Sequence, residues 1–306
     1  MNHFTIPSGS GVQLHCGLWL PEGQPRAVIQ LVHGVAEHIG RYDAFARFLN
    51  EQGFVVAAED HMGHGRTALE SGGFGIFRGG WQQAVDDVHG LFAEMRTDWP
   101  DLPYFLLGHS MGSFLTRSFL IRFPDAGLAG AILSGTGQQA EAMLTGGLLV
   151  CQAEALRLGR DRVSPLIQQL IFGSYNQHFA PARTENDWIC SDPAVVDAYE
   201  ADALCGFQVS IGLASDMLTG IRFNQKPENL KKMDMHVPVL FFSGTEDPVG
   251  NMAKGVREAA ISFRDAGVRN IHVRLYEGGR HEMLNERNKE QVWQDVLVWL
   301  EEVLQK

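Results

Sequence analysis

The chain has 306 residues, 45% of them hydrophobic and 20% charged, enough to bury a large core as one domain or two. Its formal net charge of −11, with both signs mixed along the chain, excludes the basic patch that nucleic acid demands and argues against electrostatic docking on anionic lipid. Cys16, Cys151, Cys190 and Cys205 are scattered without a C-x-x-C pair, the N-terminus has no signal-like region, and no apolar run reaches about 18 residues, so free thiols in a cytoplasmic chain are expected.

Residues 12–19 and 26–32 read as strands, separated by Pro21-Glu22-Gly23-Gln24-Pro25, a turn by composition. Residues 42–52 carry helical periodicity through Phe45, Phe48 and Leu49 and stop before Gly53; residues 54–58 then form a short apolar strand. A helix over 81–97, a strand over 103–107, a helix from 113 and a strand over 128–133 follow. The alternation lapses over 138–222, which holds helical patches and no convincing strand. It resumes with a strand at 237–242, a helix at 250–267, a strand at 270–276 and a helix at 287–305. Nearly uninterrupted apolar strands alternating with helices indicate a mostly parallel central sheet covered on both faces.

The strand at 103–107 runs into Gly108-His109-Ser110-Met111-Gly112, and a helix follows at once. Strand, sharp turn and helix around G-x-S-x-G are the nucleophile elbow of the α/β-hydrolase fold. The turn strains the serine backbone and requires small residues two before and two after it, which Gly108 and Gly112 supply. It also sets the hydroxyl at a helix N-terminus, where free N–H groups favour developing negative charge.

A serine hydroxyl attacks only if a base takes its proton and a third group orients that base. In this fold the acid follows a late strand and the histidine the last one. The strand at 237–242 leads into Ser243-Gly244-Thr245-Glu246-Asp247-Pro248, and the strand at 270–276 into Glu277-Gly278-Gly279-Arg280-His281-Glu282. Ser110, Asp247 and His281 are therefore the expected catalytic residues, with Glu246 a competing acid. The oxyanion donors expected are the backbone N–H groups of Met111, after the nucleophile, and of Val35, in the loop His33-Gly34-Val35-Ala36-Glu37-His38. Glu37 and Arg41 either pair to brace that loop or stand as solvated charges. Asp60, His61 and His64 are metal-ligand types at close spacing, yet no persuasive further ligands accompany them, so no metal and no cofactor are expected.

Taken in order, His33-Gly34-x-x-Glu37-His38-x-x-Arg41-Tyr42, Asp60-His61-x-Gly63-His64-Gly65-Arg66, Gly108-His109-Ser110-Met111-Gly112, Gly244-x-x-Asp247 and Glu277-Gly278-Gly279-x-His281-Glu282 resemble the monoacylglycerol lipase/lysophospholipase family. The resemblance implies a carboxylic-ester hydrolase acting on single-chain acyl lipids under a mobile cap. It assigns Ser110, Asp247 and His281 to the triad, Val35 and Met111 to the oxyanion hole, and a structural role to the loop at Asp60.

The expected organisation is an α/β-hydrolase core over 1–137 and 223–306 with a helical cap inserted over 138–222. Met143, Leu144, Leu148, Leu149 and Val150, with Leu166, Ile167, Leu170, Ile171 and Phe172, make the cap strongly apolar, and some are expected to line an apolar tunnel. The expected partner is a small acyl ester or lipid, with transient membrane contact through the cap. A short-chain carboxylesterase, an aminopeptidase-like amidase, a cofactor-free haloperoxidase and a non-catalytic binding module are the alternatives.

Overall fold

The apolar runs become strands because each is buried along its whole length: β3 (Ala27–Val32), β4 (Phe54–Glu59), β5 (Tyr104–His109), β6 (Gly130–Ser134) and β7 (Val239–Gly244) present no exposed residue. The computed structural model describes residues 1–305. With β1 (Asn2–Pro7), β2 (Gln13–Trp19) and β8 (Ile271–Tyr276) they form one sheet in the order β1-β2-β4-β3-β5-β6-β7-β8. The β1–β2 and β2–β4 pairs are antiparallel and every later pair is parallel.

Alternation along the strands divides the core. Val28, Val32, Tyr104 and Leu106 face α3 (Gly80–Asp98) and α4 (Met111–Arg122) on one side. Ile29, Leu31, Phe105 and Leu107 face α1 (Asp43–Glu51) and α11 (Lys289–Leu304) on the other. Full burial of each such side chain contributes about 1.5–3 kcal/mol. Toward the β8 edge, Ala131, Leu133 and Phe241 pack under α10 (Lys254–Ala266) through Val256, Ala259 and Phe263.

Two elements escaped the sequence pattern. In β1 only Ile6 is buried and Phe4 half-buried, an apolar alternation too short to mark a strand, and its ladder with β2 holds it in place. The short helix α2 (Gly65–Ser71) opens on a glycine and is anchored from outside, where Asp60 Oδ2 accepts the Arg66 N–H at 2.8 Å.

Between β6 and β7 the chain forms α5 (Glu141–Leu158), α6 (Pro165–Phe172), two short 3₁₀ turns, α7 (Pro193–Ala201), α8 (Ile211–Gln225) and α9 (Pro227–Leu230). Helix α8 packs on α5 above it and on α3 and α4 of the core. The two ends of this segment are tied together where the Gln225 amide accepts the Gln139 N–H at 2.7 Å and donates to the Gln139 carbonyl at 2.8 Å. From α4, the fully buried Arg117 donates to the Gly137 carbonyl at 2.8 Å and pins the same junction to the helix that follows Ser110.

Candidate active site

The chain leaves β3 toward β4 and leaves β5 toward β6, so the loops after β3 and β5 diverge and open a crevice at the carboxyl ends of adjacent strands. Ser110 stands there, at the turn from β5 into α4, with φ 52° and ψ −120°, a conformation strained for a residue with a Cβ. Its N–H is tied to the Ser134 carbonyl at 2.9 Å, and the Ser113 hydroxyl donates to its carbonyl at 2.6 Å. The flanking glycines are obligatory: a Cβ on Gly112 would overlap the Val32 carbonyl, and one on Gly108 would overlap the Gly112 carbonyl.

His281 lies across the cavity in the loop after β8, and its Nδ1 donates to Asp247 Oδ1 at 2.9 Å. Asp247 is fully buried and also accepts the Ser243 hydroxyl at 2.8 Å and the Val249 N–H at 2.9 Å; Glu246 is exposed. Burial pulls the His281 pKa down, but the Asp247 carboxylate outweighs it and sets the imidazole above its usual 6.5. Burial pushes Asp247 upward, and the imidazolium with its three hydrogen bonds brings it below the usual carboxylate value. The ring is flanked by Trp188 at 5.0 Å and His109 at 4.7 Å between centroids. Gly135, at φ 57°, leaves room for it, since a Cβ there would stand 2.9 Å from His281 Cε1. Ser110 Oγ makes no hydrogen bond to His281 among the described residues, a separation that substrate-free sites often show.

The loop after β3 faces Ser110. The Gly34 N–H donates to Glu37 Oε1 at 2.6 Å, while the N–H of Val35 has no acceptor among the described residues and that of Met111 is the free first amide of α4. Glu37 and Arg41 do pair, at 2.9 Å, and Tyr42 donates a second bond to Glu37 at 2.8 Å. Arg41 further grips Glu282 with two bonds of 2.6 Å, a contact between positions 241 residues apart. The fork geometry of a guanidinium on a carboxylate makes this a strong, oriented pair. It joins the Val35 loop to the residue following His281. From the inserted segment, Gly206 N–H and Tyr199 hydroxyl both donate to the Ala36 carbonyl at 2.9 Å.

His33 donates to the Gly34 carbonyl at 2.7 Å and accepts the His61 N–H at 3.0 Å, so it supports backbone. Asp60 is spent on the Ile39 and Arg66 N–H groups at 2.9 and 2.8 Å and does not converge with His61 and His64 on a common point. Burial and the nearby His281 charge hold His109 down to about 4, and burial with His61 holds His64 down to about 3.

The cavity above Ser110 has a volume of about 530 Å³. The expected apolar tunnel is not what lines it. Of the ten apolar residues named above, only Phe172 reaches the cavity; Leu144 and Ile167 pack inward, and Met143, Leu149, Leu166 and Leu170 are exposed. The helical register turns their stripe away from Ser110 and presents the neighbouring amides Gln168 and Gln169, with Asn176, Asn186 and Gln208 from later turns. Gln168 donates to the Val209 carbonyl at 2.8 Å, and Asn176 bonds Thr184 and Trp188, whereas Gln169 and Gln208 have no side-chain partner among the described residues. Among the described residues no lysine or arginine lines the cavity. Trp188, Gly135 and the amides were invisible in the sequence, whereas Glu282 stood beside His281 in a motif that gave no hint of Arg41 as its partner.

Residues 23–288 match the family model described as serine aminopeptidase, S33. The chain is 29% identical to a monoacylglycerol lipase of Mycolicibacterium smegmatis over 297 residues, 95% of this chain and 93% of that protein. It is 29% identical to the monoglyceride lipase of Homo sapiens over 302 residues, 96% of this chain and 89% of the relative. Among solved structures, a thermostable carboxyl esterase from Bacillus coagulans in complex with glycerol superposes with a TM-score of 0.93 at 29% identity, covering 99% of this chain and 98% of the other.

Proposed function

Since the chain belongs to the hydrolase family described as serine aminopeptidase, S33, we propose that it is a carboxylic-ester hydrolase cleaving monoacylglycerols or similar single-chain esters of neutral alcohols. The observation that carries this reading is Ser110 strained at its elbow in the same cavity as a buried His281 held by Asp247. In the proposed reaction His281 Nε2 takes the Ser110 proton as Oγ attacks the ester carbonyl, and Asp247 stabilises the imidazolium. The N–H groups of Val35 and Met111 receive the oxyanion. The alcohol leaves with the proton from His281, and a water activated by the same ring frees the acid from the acyl-enzyme. The chemistry needs no cofactor.

The lining supports the substrate class. A neutral polyol finds hydrogen-bonding amides at Gln169 and Gln208, while a phosphate-bearing head group finds no cation to pair with. An aminopeptidase must hold a substrate ammonium, and two of the three carboxylates at the cavity, Glu37 and Glu282, already bind Arg41, leaving Glu185 at the exposed rim. The volume lies within the roughly 300–1,000 Å³ range of ligand pockets, room for one acyl chain. We further propose that residues 138–222 act as the cap and that the four free, buried cysteines suit a reducing, cytoplasmic setting. No helix of the described residues is long and apolar enough to cross a membrane.

The test is a panel of monoacylglycerols and lysophosphatidylcholines matched from butyryl to stearoyl, beside a p-nitrophenyl ester and an aminoacyl amide, with Ser110→Ala as the blank. We expect the highest kcat/KM on a monoacylglycerol. A maximum on the amide, or on the lysophospholipids, would overturn the assignment.

On the outer surface of α5 and α6, Leu149, Leu156, Leu166 and Leu170 are at least half exposed, a patch we propose touches the surface of a neutral lipid aggregate, and α6 also lines the cavity. Leu149→Ser/Leu156→Ser should lower turnover of monoacylglycerol carried in phosphatidylcholine vesicles by roughly tenfold or more, since two leucines only partly buried at an interface still contribute more than about 1 kcal/mol, and spare the soluble p-nitrophenyl ester. Equal loss on both substrates would refute the contact.

A further inference from the structure

Outside the cavity, three side chains of metal-ligating type converge where the inserted segment meets the Val35 loop. His38 comes from the end of that loop, and Asp202 and Cys205 from the turn after α7. One donor atom from each lies within 4.8 Å of the other two, and His38 Nε2 already stands 2.9 Å from Asp202 Oδ2. We propose that His38, Asp202 and Cys205 form a binding site for a thiophilic divalent cation, Zn²⁺ in the first instance, whose occupancy inhibits the hydrolase.

The donor set is that of a three-ligand zinc site, nitrogen, sulfur and carboxylate oxygen, with the fourth position open to water. Bonds of about 2.0–2.3 Å in a tetrahedron place ligand atoms roughly 3.3–3.8 Å apart, so donor atoms within 4.8 Å of one another need shift by no more than about 1–1.5 Å to close the site. The spacing Asp202-x-x-Cys205 is itself fixed, because the Cys205 N–H donates to the Asp202 carbonyl at 3.0 Å and the Leu204 N–H to Asp202 Oδ1 at 2.9 Å. The charges that reach Cys205 come from Asp202, Glu37, Glu282 and Arg41, three carboxylates against one guanidinium, a field that favours a dication.

Proton bookkeeping ties occupancy to the reaction. His38 Nδ1 accepts the Gly40 N–H at 3.2 Å, which leaves the ring hydrogen on Nε2, directed at Asp202. A cation taking Nε2 forces that hydrogen to Nδ1, and the Cys205 thiol releases its own proton to solvent. Gly40 then loses its acceptor, and the 3₁₀ turn Ile39–Tyr42, which His38 caps, loosens. That turn carries Arg41 and Tyr42, the two residues that hold Glu37 against the Gly34 N–H. The same cation cross-links the inserted segment to the loop that faces Ser110.

Only the inhibition rests on the hydrolase reading; binding is measurable without turnover. Calorimetric titration of Zn²⁺, and ultraviolet absorption of the Cd²⁺–thiolate bond, are read on reduced wild type and on Ser110→Ala. Both proteins are expected to bind one equivalent, and Cys205→Ser, Asp202→Asn and His38→Gln each to weaken binding by about tenfold or more. Cys205→Ser should also abolish the Cd²⁺ absorption and keep ester turnover while losing its inhibition by Zn²⁺. Thermal unfolding midpoints matched to wild type show that the variants are folded. Retention of the Cd²⁺ band in Cys205→Ser, binding unchanged in Asp202→Asn, or equal Zn²⁺ inhibition of wild type and Cys205→Ser would overturn the site. Inactivity of wild type toward every ester, with one-to-one binding intact, would count against the hydrolase reading alone.

Discussion

Ser110→Ala is expected to lower kcat for ester hydrolysis by roughly four to six orders of magnitude with the thermal unfolding midpoint unchanged. Alanine keeps the Cβ, so the strain at φ 52° and the close packing at Gly108 and Gly112 are the same in both proteins. The side-chain hydroxyl makes no hydrogen bond that the fold depends on; what anchors the turn is the Ser110 main chain, through Ser134 and Ser113. The residual rate should be that of a cavity that still offers two N–H donors to an oxyanion. Because nucleophile and base act as a unit, His281→Ala should cost about as much as Ser110→Ala, and the double variant little more than either. Additive losses would show that the two side chains do not serve one step.

Asp247→Asn should cost about 10⁴ in kcat, since the amide leaves the ring in the wrong tautomer, and should also move the pH profile. The direction follows from the charges. The active base is neutral imidazole, so kcat/KM falls as pH drops through the His281 pKa, which the carboxylate holds above 6.5 against the pull of burial. Without that carboxylate burial is opposed only by the smaller pull of Glu282 and Glu37, and the acid limb should shift to lower pH. In wild type the limb should involve a single proton, because His109 at about 4 and His64 at about 3, with His33 also held well down by burial, stay neutral throughout. A plot of log kcat/KM against pH for both proteins decides it. An unmoved limb in Asp247→Asn would transfer the role to Glu282 and Glu37, the other two carboxylates that raise His281.

Five of the strands legible in the sequence are buried along their whole length and read as apolar runs, whereas β8, largely exposed, was legible through its β-branched and aromatic residues; β5, read at 103–107, runs from 104 to 109. The first strand hid because hydrogen bonds to β2, rather than a buried face, hold it. That Ser110, Asp247 and His281 would line one cavity could be expected for a different reason: each follows a strand end, and the topology brings those ends together. What failed was inference about the inserted segment, whose apolar residues either pack on the core, as Leu144 and Ile167 do, or face outward, as Leu149 and Leu170 do, while polar neighbours turn toward the cavity. Nor does sequence disclose Arg117, an arginine fully buried in α4 without a carboxylate, its pKa drawn down by burial to about 10. Composition alone places such a residue at the surface.

The pairing of Arg41 with Glu282 bears on how the molecule comes into being. Strands β5, β6, β7 and β8 join the sheet in the order of synthesis, each beside the one before. The elbow at Ser110 is complete early, whereas Asp247 and His281 sit beyond the last two strands to be added. Glu282 must find Arg41 across 241 positions, so the loop at Val35 waits unbraced until nearly the whole chain has left the ribosome. On the proposed reaction, a nascent chain would therefore hold Ser110 before its base is made, and hydrolytic capacity would be gained only as synthesis ends.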